Sequence, residues 1–284
     1  MQCLVTGGSG FIGKHLVNTL FNAKHAVKVL DLKESEFPKN VEFIKGDIRD
    51  FETVNSALKG IDVVFHLAAL TSVQDSIENP LETADINVTG TINILNSCVL
   101  NKVKRLVFSS SAAVYDLKSP YGASKLSAEN FCTAFYNSYG LETVILRYFN
   151  VYGPGAKQGV IKNFLDNLSQ NKELLIYGDG SQTRDFVYVK DVVKANILAM
   201  NSDIRSIGKS FDIGSGISTS INYLVKVIKK VTGKTPEFKV MPARKGEITD
   251  SRCNLVDAKR VLGYVPVFSL EEGIKEYLFL EPRV

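Results

Sequence analysis

Thr6-Gly-Gly-Ser-Gly-Phe-Ile-Gly13 stands between an apolar run, Gln2–Thr6, and a segment, Phe11–Phe21, where Phe11, Ile12, Leu16, Val17 and Leu20 recur at helical spacing. The stretch reads as a strand turning through glycines into a helix. Gly7 permits the tight turn, Gly10 lets a pyrophosphate approach the backbone, and Gly13 lets helix and strand pack closely. The helix N-terminus then offers N–H groups and positive dipole to phosphates. Glycines alone are weak evidence, since any strand-to-helix turn favours them. Here, however, Asp31 ends the next strand, where a carboxylate accepts both hydroxyls of an adenosine ribose and repels a 2′-phosphate. The stretch therefore reads as a dinucleotide site that prefers NAD to NADP, with Leu32 and Lys33 following in the same turn.

Outward from this loop, strand-like runs at Ala26–Leu30, Val41–Lys45, Asp62–Leu67, Arg105–Phe108 and Thr143–Arg147 alternate with helical patterns. The helices are expected at Phe51–Leu58, Leu81–Leu100 and Tyr121–Tyr139. That alternation specifies an α/β fold, a doubly wound Rossmann-type parallel sheet with helices on both faces. Beyond about residue 155 the pattern loosens. Turn clusters at Gly153-Pro-Gly155 and Gly178-Asp-Gly180 precede helical periods at Asp191–Met200, Ile221–Val231 and Leu270–Tyr277. The expected division is a dinucleotide-binding domain over 1–155 and a smaller α+β substrate-binding lobe over 156–284. Two strand-like runs in 186–215, Phe186–Val189 and Ser210–Ile213, are expected to return to the first sheet.

The chain has 284 residues, 45% hydrophobic and 23% charged, which excludes a disordered protein. A formal charge of +4 with no dedicated basic run suits a small anionic ligand better than nucleic acid. No apolar stretch is long enough for a membrane span, and the start of the chain does not read as a signal peptide, so a cytoplasmic location is expected. The four cysteines (Cys3, Cys98, Cys132, Cys253) and three histidines (His15, His25, His66) show no metal-ligand spacing, and no metal is expected.

Tyr121-Gly-Ala-Ser-Lys125 opens a helix after Pro120, so phenol and ammonium fall on one face. Such pairs are common on exposed helices. This one is preceded by Phe108-Ser-Ser-Ser-Ala-Ala-Val-Tyr115, whose hydroxyls end a strand at the carboxyl edge of the sheet, where doubly wound folds bind ligands. A neighbouring ammonium and a positively charged nicotinamide both favour phenolate and make the tyrosine a usable general base.

With these motifs the sequence resembles the extended short-chain dehydrogenase/reductase family, and within it the nucleotide-sugar 4-epimerases of the UDP-galactose (UDP-glucose) 4-epimerase type. Further matching segments are Gly46-Asp-Ile48, His66-Leu-Ala-Ala69, Asn87-Val-Thr-Gly90, Arg147-Tyr-Phe-Asn-Val-Tyr-Gly-Pro154, Gly178–Asp191 and Arg244-Lys-Gly-Glu247. The resemblance implies that Phe11 and Ile12 lie over the pyrophosphate, Asp47 and Ile48 hold the adenine, and Leu67, Ala68 and Ala69 line the ribose and nicotinamide side above Asn87. Ser109 joins this cofactor set, and Phe149 touches the nicotinamide. Ser111 would bond the sugar hydroxyl being oxidised, Tyr121 would be the base, and Lys125 would hold the nicotinamide ribose and lower the phenol pKa. Asn150, Arg184 and Arg244 would meet the substrate diphosphate, and Glu247 the nucleotide ribose. The family also implies a homodimer, built on the helices Leu81–Leu100 and Tyr121–Tyr139.

Two departures qualify the match. Thr71 stands where some relatives carry lysine. Only Asp116-Leu-Lys-Ser119 separates Tyr115 from Pro120, a shorter loop than in relatives. Dehydratase and decarboxylase relatives usually carry an acidic residue just after the active-site serine; Ala112-Ala113 follow Ser111 here, which argues against both reactions. The expected activity is NAD-dependent 4-epimerisation of a UDP-sugar through a 4-keto intermediate. A reductase or dehydratase of the same family is the nearest alternative, and a non-catalytic NAD-sensing protein a more distant one. In relatives a residue a few positions after the Arg-x-Gly-Glu motif limits the space at the sugar C2, and the resemblance implies that the small Ser251, seven positions on from Arg244, or Cys253 if the register slips by two, takes that place. That leaves room for an N-acetyl group.

Overall fold

The computed structural model describes residues 1–243 and 250–281. By their contacts the residues fall into two units. The first is Met1–Tyr148, Val193–Phe211 and Arg260–Tyr264, and the second is Phe149–Val192 with the described residues of 212–259 and 265–284.

The elements up to residue 148 are β1 (Gln2–Thr6), α1 (Phe11–Asn22), β2 (Ala26–Asp31), β3 (Glu42–Lys45), α2 (Phe51–Ala57), β4 (Val63–His66), α3 (Val73–Glu78), α4 (Pro80–Ala84), α5 (Gly90–Leu100), β5 (Arg105–Ser111), α6 (Pro120–Tyr139) and β6 (Glu142–Tyr148). There follow β7 (Asn150–Tyr152), α7 (Val160–Ser169), β8 (Leu174–Tyr177), β9 (Thr183–Tyr188), α8 (Val189–Asn201), β10 (Lys209–Ile213), β11 (Ser218–Ser220), α9 (Ile221–Thr232), β12 (Phe238–Met241) and α10 (Leu270–Leu280).

Seven strands form the main sheet in the order β3-β2-β1-β4-β5-β6-β10, and β1 to β6 pair in parallel. The chain therefore runs outward from β1 to β3 and then resumes on the other side of β1 with β4. That reversal is the switch point where doubly wound sheets bind ligands. The loops after β1 and β4 both leave the sheet there. Because successive strand residues face opposite sides, Leu4, Leu30, Val64, Leu106, Phe108 and Ile145 share one face with Val54 and Leu58, with Ile94, Leu95 and Cys98 of α5, and with Ala128 and Cys132 of α6. Leu16, Val17 and Leu20 of α1 are also fully buried, and α1 packs on β1 and β2. Each such leucine contributes roughly 1.5–3 kcal/mol by leaving water.

The expected helix Leu81–Leu100 is helical throughout but not uniform. A π-type turn at Asp85–Thr89 separates α4 from α5 and carries the buried Asn87. Such widened turns expose backbone groups to new partners. Of the two runs expected to rejoin the main sheet, Ser210–Ile213 does so as part of β10. Phe186–Val189 does not, because its strand β9 lies in a separate three-stranded sheet, β11-β9-β7. Its apolar run signalled a buried strand, and burial in either sheet satisfies that signal. The second unit also holds the parallel pair β12–β8 and the helix α7, seated by Ile161, Phe164, Leu165 and Leu168.

Candidate active site

The glycine loop is shaped by sterics. Gly7 adopts φ +69°, and a Cβ there would lie 2.7 Å from the Ala68 nitrogen; a Cβ on Gly13 would lie 2.2 Å from the Gly7 carbonyl oxygen. Neither position accepts a side chain, and α1 thus starts hard against the end of β1. The Ser9 N–H donates to Asp31 Oδ2 at 3.0 Å and the Lys33 N–H to Oδ1 at 3.2 Å, so the carboxylate at the end of β2 is held against the loop. Among the described residues, Ser9 Oγ is buried without a hydrogen-bond partner. Bare backbone at a helix N-terminus, an unpartnered hydroxyl and a carboxylate one strand away fit a dinucleotide. Phe11 opens α1 with its ring edge-on to His15, followed by Ile12, while Leu32 is exposed.

Beyond β3, Asp47 is gripped by Arg49 (Nη2–Oδ2 2.6 Å, Nε–Oδ1 3.1 Å), which holds its carboxyl below the usual carboxylate range. The carboxylate expected at the adenine is thus already engaged by a guanidinium. Ile48 is buried, and Asn93 of α5 donates to its carbonyl. After β4, Leu67, Ala68 and Ala69 are half-buried, and Asn87 fastens the end of that loop from below. Its Oδ1 accepts from the Leu70 N–H at 2.8 Å, and its Nδ2 donates to the Leu70 carbonyl at 2.9 Å and to Ser124 Oγ at 3.0 Å.

Tyr121 and Lys125 occupy the first two turns of α6. Ser119 caps the helix by accepting from the Gly122 N–H, and Pro120 fits the first turn because no partner is needed for the N–H it lacks. Tyr121 is 9% exposed. Burial pushes its phenol up from the ordinary value, and a hydrogen bond with Ser111 at the end of β5 pulls it back down. Lys125 is 3% exposed. Its Nζ donates to the Ser109 carbonyl at 2.8 Å and lies 4.8 Å from the centre of the Phe108 ring. Burial lowers its pKa to about 8, against the opposing influence of Cys132 and Glu129. Ser111, Tyr121 and Lys125 therefore converge at the carboxyl end of β5, although the lysine points to the strand backbone. The Ser109 hydroxyl pairs with Tyr148 at 2.9 Å.

Two groups in this web escaped the sequence reading. Glu129, one turn beyond Lys125 on α6, is 4% exposed; it takes a bidentate pair from Arg147 (2.9 and 2.6 Å) and a bond from Ser110 Oγ at 2.5 Å. Arg147 also donates to the Tyr115 hydroxyl at 2.9 Å, and Tyr115 precedes the short loop 116–119. The spacing Lys125-to-Glu129 was a usable signal, since groups four apart share a helix face. His66 is the second, marked in the sequence only within the His66-Leu-Ala-Ala69 segment and given no role; it is 1% exposed, and its pKa feels the Lys125 charge.

In the second unit, Phe149 donates its N–H to the Ile213 carbonyl, Asn150 opens β7 exposed, and Arg184 on β9 is half-buried with Nη1 on the Thr183 carbonyl at 2.7 Å. Asp185 beside it is completely buried and accepts from the Ser215 N–H and hydroxyl and from the N–H groups of Gly216 and Cys253. The half-buried Ser251 is fixed by its N–H to Thr183 Oγ1 and its carbonyl to Ser218, whereas the alternative Cys253 is 4% exposed. Arg244 and Glu247 lie outside the described residues. Among the described residues no helix is long and apolar enough to cross a membrane.

Known proteins share this architecture. Solved structures that superpose on nearly the whole chain include the UDP-glucose 4-epimerase of Thermotoga maritima with UDP-glucose, at TM-score 0.92 and 36% identity, covering 98% of each chain. Another is the Thermus thermophilus UDP-glucose 4-epimerase in complex with NAD, at TM-score 0.90 and 33% identity, again covering 98% of each. A protein of Methanocaldococcus jannaschii, provisionally named a UDP-glucose 4-epimerase, is 40% identical over 96% of this chain and 95% of its own. A UDP-N-acetyl-alpha-D-glucosaminuronate decarboxylase of Bacillus cytotoxicus is 34% identical over 97% and 96%. The model of the NAD dependent epimerase/dehydratase family matches residues 3–214. With the doubly wound sheet, the glycine loop and Asp31 in place, the chain belongs to that family, and NAD is its cofactor.

Proposed function

We propose that this protein interconverts the 4-epimers of a UDP-sugar, UDP-glucose and UDP-galactose and also the N-acetylated pair, through a 4-keto intermediate. The observation that carries the proposal is the enclosed phenol of Tyr121 hydrogen-bonded to Ser111, one helical turn from Lys125. When bound, NAD supplies a hydride acceptor and a positive charge beside the phenol. Tyr121 removes the 4-hydroxyl proton, directly or through Ser111, as the C4 hydrogen departs with its electron pair. The keto sugar turns over, the hydrogen returns to the other face of C4, and Tyr121 gives the proton back. No net oxidation results.

Burial shifts both groups away from what base catalysis requires. It raises the pKa of the Tyr121 phenol and lowers that of the Lys125 ammonium to about 8. The tyrosine therefore becomes a base only with positive charge beside it. Lys125 orients the nicotinamide ribose in this reading, and Asp31 meets the adenosine ribose. Asn150, Arg184, Arg244, Glu247 and Ser251 serve the nucleotide-sugar. Decarboxylation is the second reading, given the decarboxylase relative; Ala112-Ala113 after Ser111 favours epimerisation, because neither side chain can assist loss of a carboxylate or elimination. The proposal extends to a homodimer on α6 and the Leu81–Leu100 segment, where Leu81, Leu100, Phe131 and Tyr139 remain exposed.

NMR of incubations with UDP-glucose, UDP-galactose, their N-acetyl counterparts and UDP-glucuronic acid tests the reaction. The proposal expects 4-epimers from the first four sugars. Release of carbon dioxide from the last, with no epimerisation of any, would contradict it.

A further inference from the structure

His66 ends β4 and takes no part in the reaction proposed above. It is 1% exposed, and burial, reinforced by the facing Lys125 charge of α6, depresses its pKa to about 3. Both ring nitrogens are engaged, Nδ1 with Thr6 Oγ1 at 2.7 Å and Nε2 with Thr91 Oγ1 at 3.0 Å. The direction of these bonds follows from counting protons. The Thr91 hydroxyl has one proton and donates it to the Asn87 carbonyl at 2.7 Å, so it must accept from His66 Nε2–H. Neutral Nδ1 is then an acceptor, and the Thr6 hydroxyl donates to it. The Thr6 oxygen remains free to accept from the Ala68 N–H at 3.2 Å. Onward from Asn87, the side chain donates to Ser124 Oγ, which donates to the Tyr121 carbonyl at 2.8 Å.

We propose that neutral His66, protonated on Nε2, is a positioning residue that couples the cofactor-binding end of β1 to the catalytic helix α6. One chain of hydrogen bonds runs between them, through the side chains of Thr6, His66 and Thr91, then the backbone carbonyl and side chain of Asn87, and then Ser124. At one end it fixes the Ala68 backbone, which Gly7 touches so closely that no Cβ fits between them. At the other it fixes the backbone of Tyr121. A histidine that merely filled space would need neither a defined tautomer nor aligned hydroxyls on both sides. The coupling to chemistry rests on Tyr121 being the base; the coupling to cofactor binding does not.

The test is a double-mutant cycle with Thr6→Val and Thr91→Val, which keep side-chain shape and remove one hydroxyl each from opposite sides of the ring. NAD affinity is measured by calorimetry on the full chain after cofactor removal. Long-range ¹H–¹⁵N spectra report the His66 tautomer in the wild type. Each single variant should weaken NAD binding by about 5- to 10-fold, and the double variant little more than the worse single, because either change already breaks the chain. kcat should fall in the same variants with the UDP-sugar KM unchanged. The wild-type spectrum should be that of Nε2–H. An Nδ1–H tautomer would overturn the proposal in the wild type, whatever the variants do, and so would single effects that multiply in the double variant. If the wild type turned over no UDP-sugar, the proposed reaction would fall, while the tautomer and the cycle in NAD affinity would still decide the role of His66.

Discussion

Glu129 in the first unit and Asp185 in the second are both buried carboxylates beside candidate site residues, yet they are satisfied by opposite means. Glu129 faces a guanidinium on the neighbouring strand, with Ser110 as a further donor. Asp185 collects three backbone N–H groups and one hydroxyl from the turn after β10 and from the segment around Cys253. One locks regular elements together through charge. The other gathers loops around β9 through their backbones. The first unit is therefore braced by a side-chain pair between a helix and a strand, whereas the second unit's loop geometry depends on an acceptor.

Removing the charge on one side of the Glu129–Arg147 pair should have the largest effect. Glu129→Ala leaves a largely enclosed guanidinium unpaired and is expected to destabilise the protein by about 3–5 kcal/mol in denaturant unfolding. Asp185→Asn keeps one acceptor oxygen but turns an amide toward N–H donors, with an expected cost of about 1–3 kcal/mol. If the asparagine costs as much as the alanine, compensation by charge is not what separates the two hubs.

Tyr121→Phe sharpens the contrast from the side of chemistry. It should leave melting behaviour and bound NAD unchanged while kcat falls by at least about 10²-fold. Near-normal turnover would move the base elsewhere.

The first unit should also carry a pH signature of its own. His66 has a folded pKa of about 3, well below its ordinary 6.5, so the native state favours the neutral ring. Its contribution to stability is present above about 6.5 and is lost as pH falls toward 3, with a slope approaching about 1.4 kcal/mol per pH unit. Unfolding measured between pH 7 and pH 4 should show this fall in the wild type and lack it in His66→Gln. Equal slopes would mean that His66 is not the group responsible.

The smallest effect is expected in the second unit and should concern selectivity alone. Ser251→Tyr should suppress conversion of the N-acetylated pair by about 10-fold and spare UDP-glucose and UDP-galactose, because added bulk excludes by clash. A variant that handles both pairs unchanged would remove Ser251 from the wall.

The contrast also explains what the sequence made legible. The glycine loop, Asp31 and the Tyr121–Lys125 pair announce themselves because strand–turn–helix punctuation and four-residue helical spacing are written in residue types. The parallel sheet follows from the alternation. β7, β8, β11 and β12 are only three or four residues long, too short to display a period. The donors to Asp185 are mostly backbone N–H groups, which every residue but proline possesses and which leave no trace in sequence. Asp47 was legible as a candidate site residue, but its capture by Arg49 two positions on was not. Lys125 also donates to the Ser109 carbonyl, a partner that no residue type reveals.

In the proposed reaction one hydrogen leaves C4 with its electrons and returns to the same carbon. UDP-glucose carrying deuterium at C4, incubated with the protein and NAD in ordinary water, tests it directly. Return of the same hydrogen gives UDP-galactose that retains deuterium at C4. UDP-galactose with protium at C4, or no conversion at all, would contradict it.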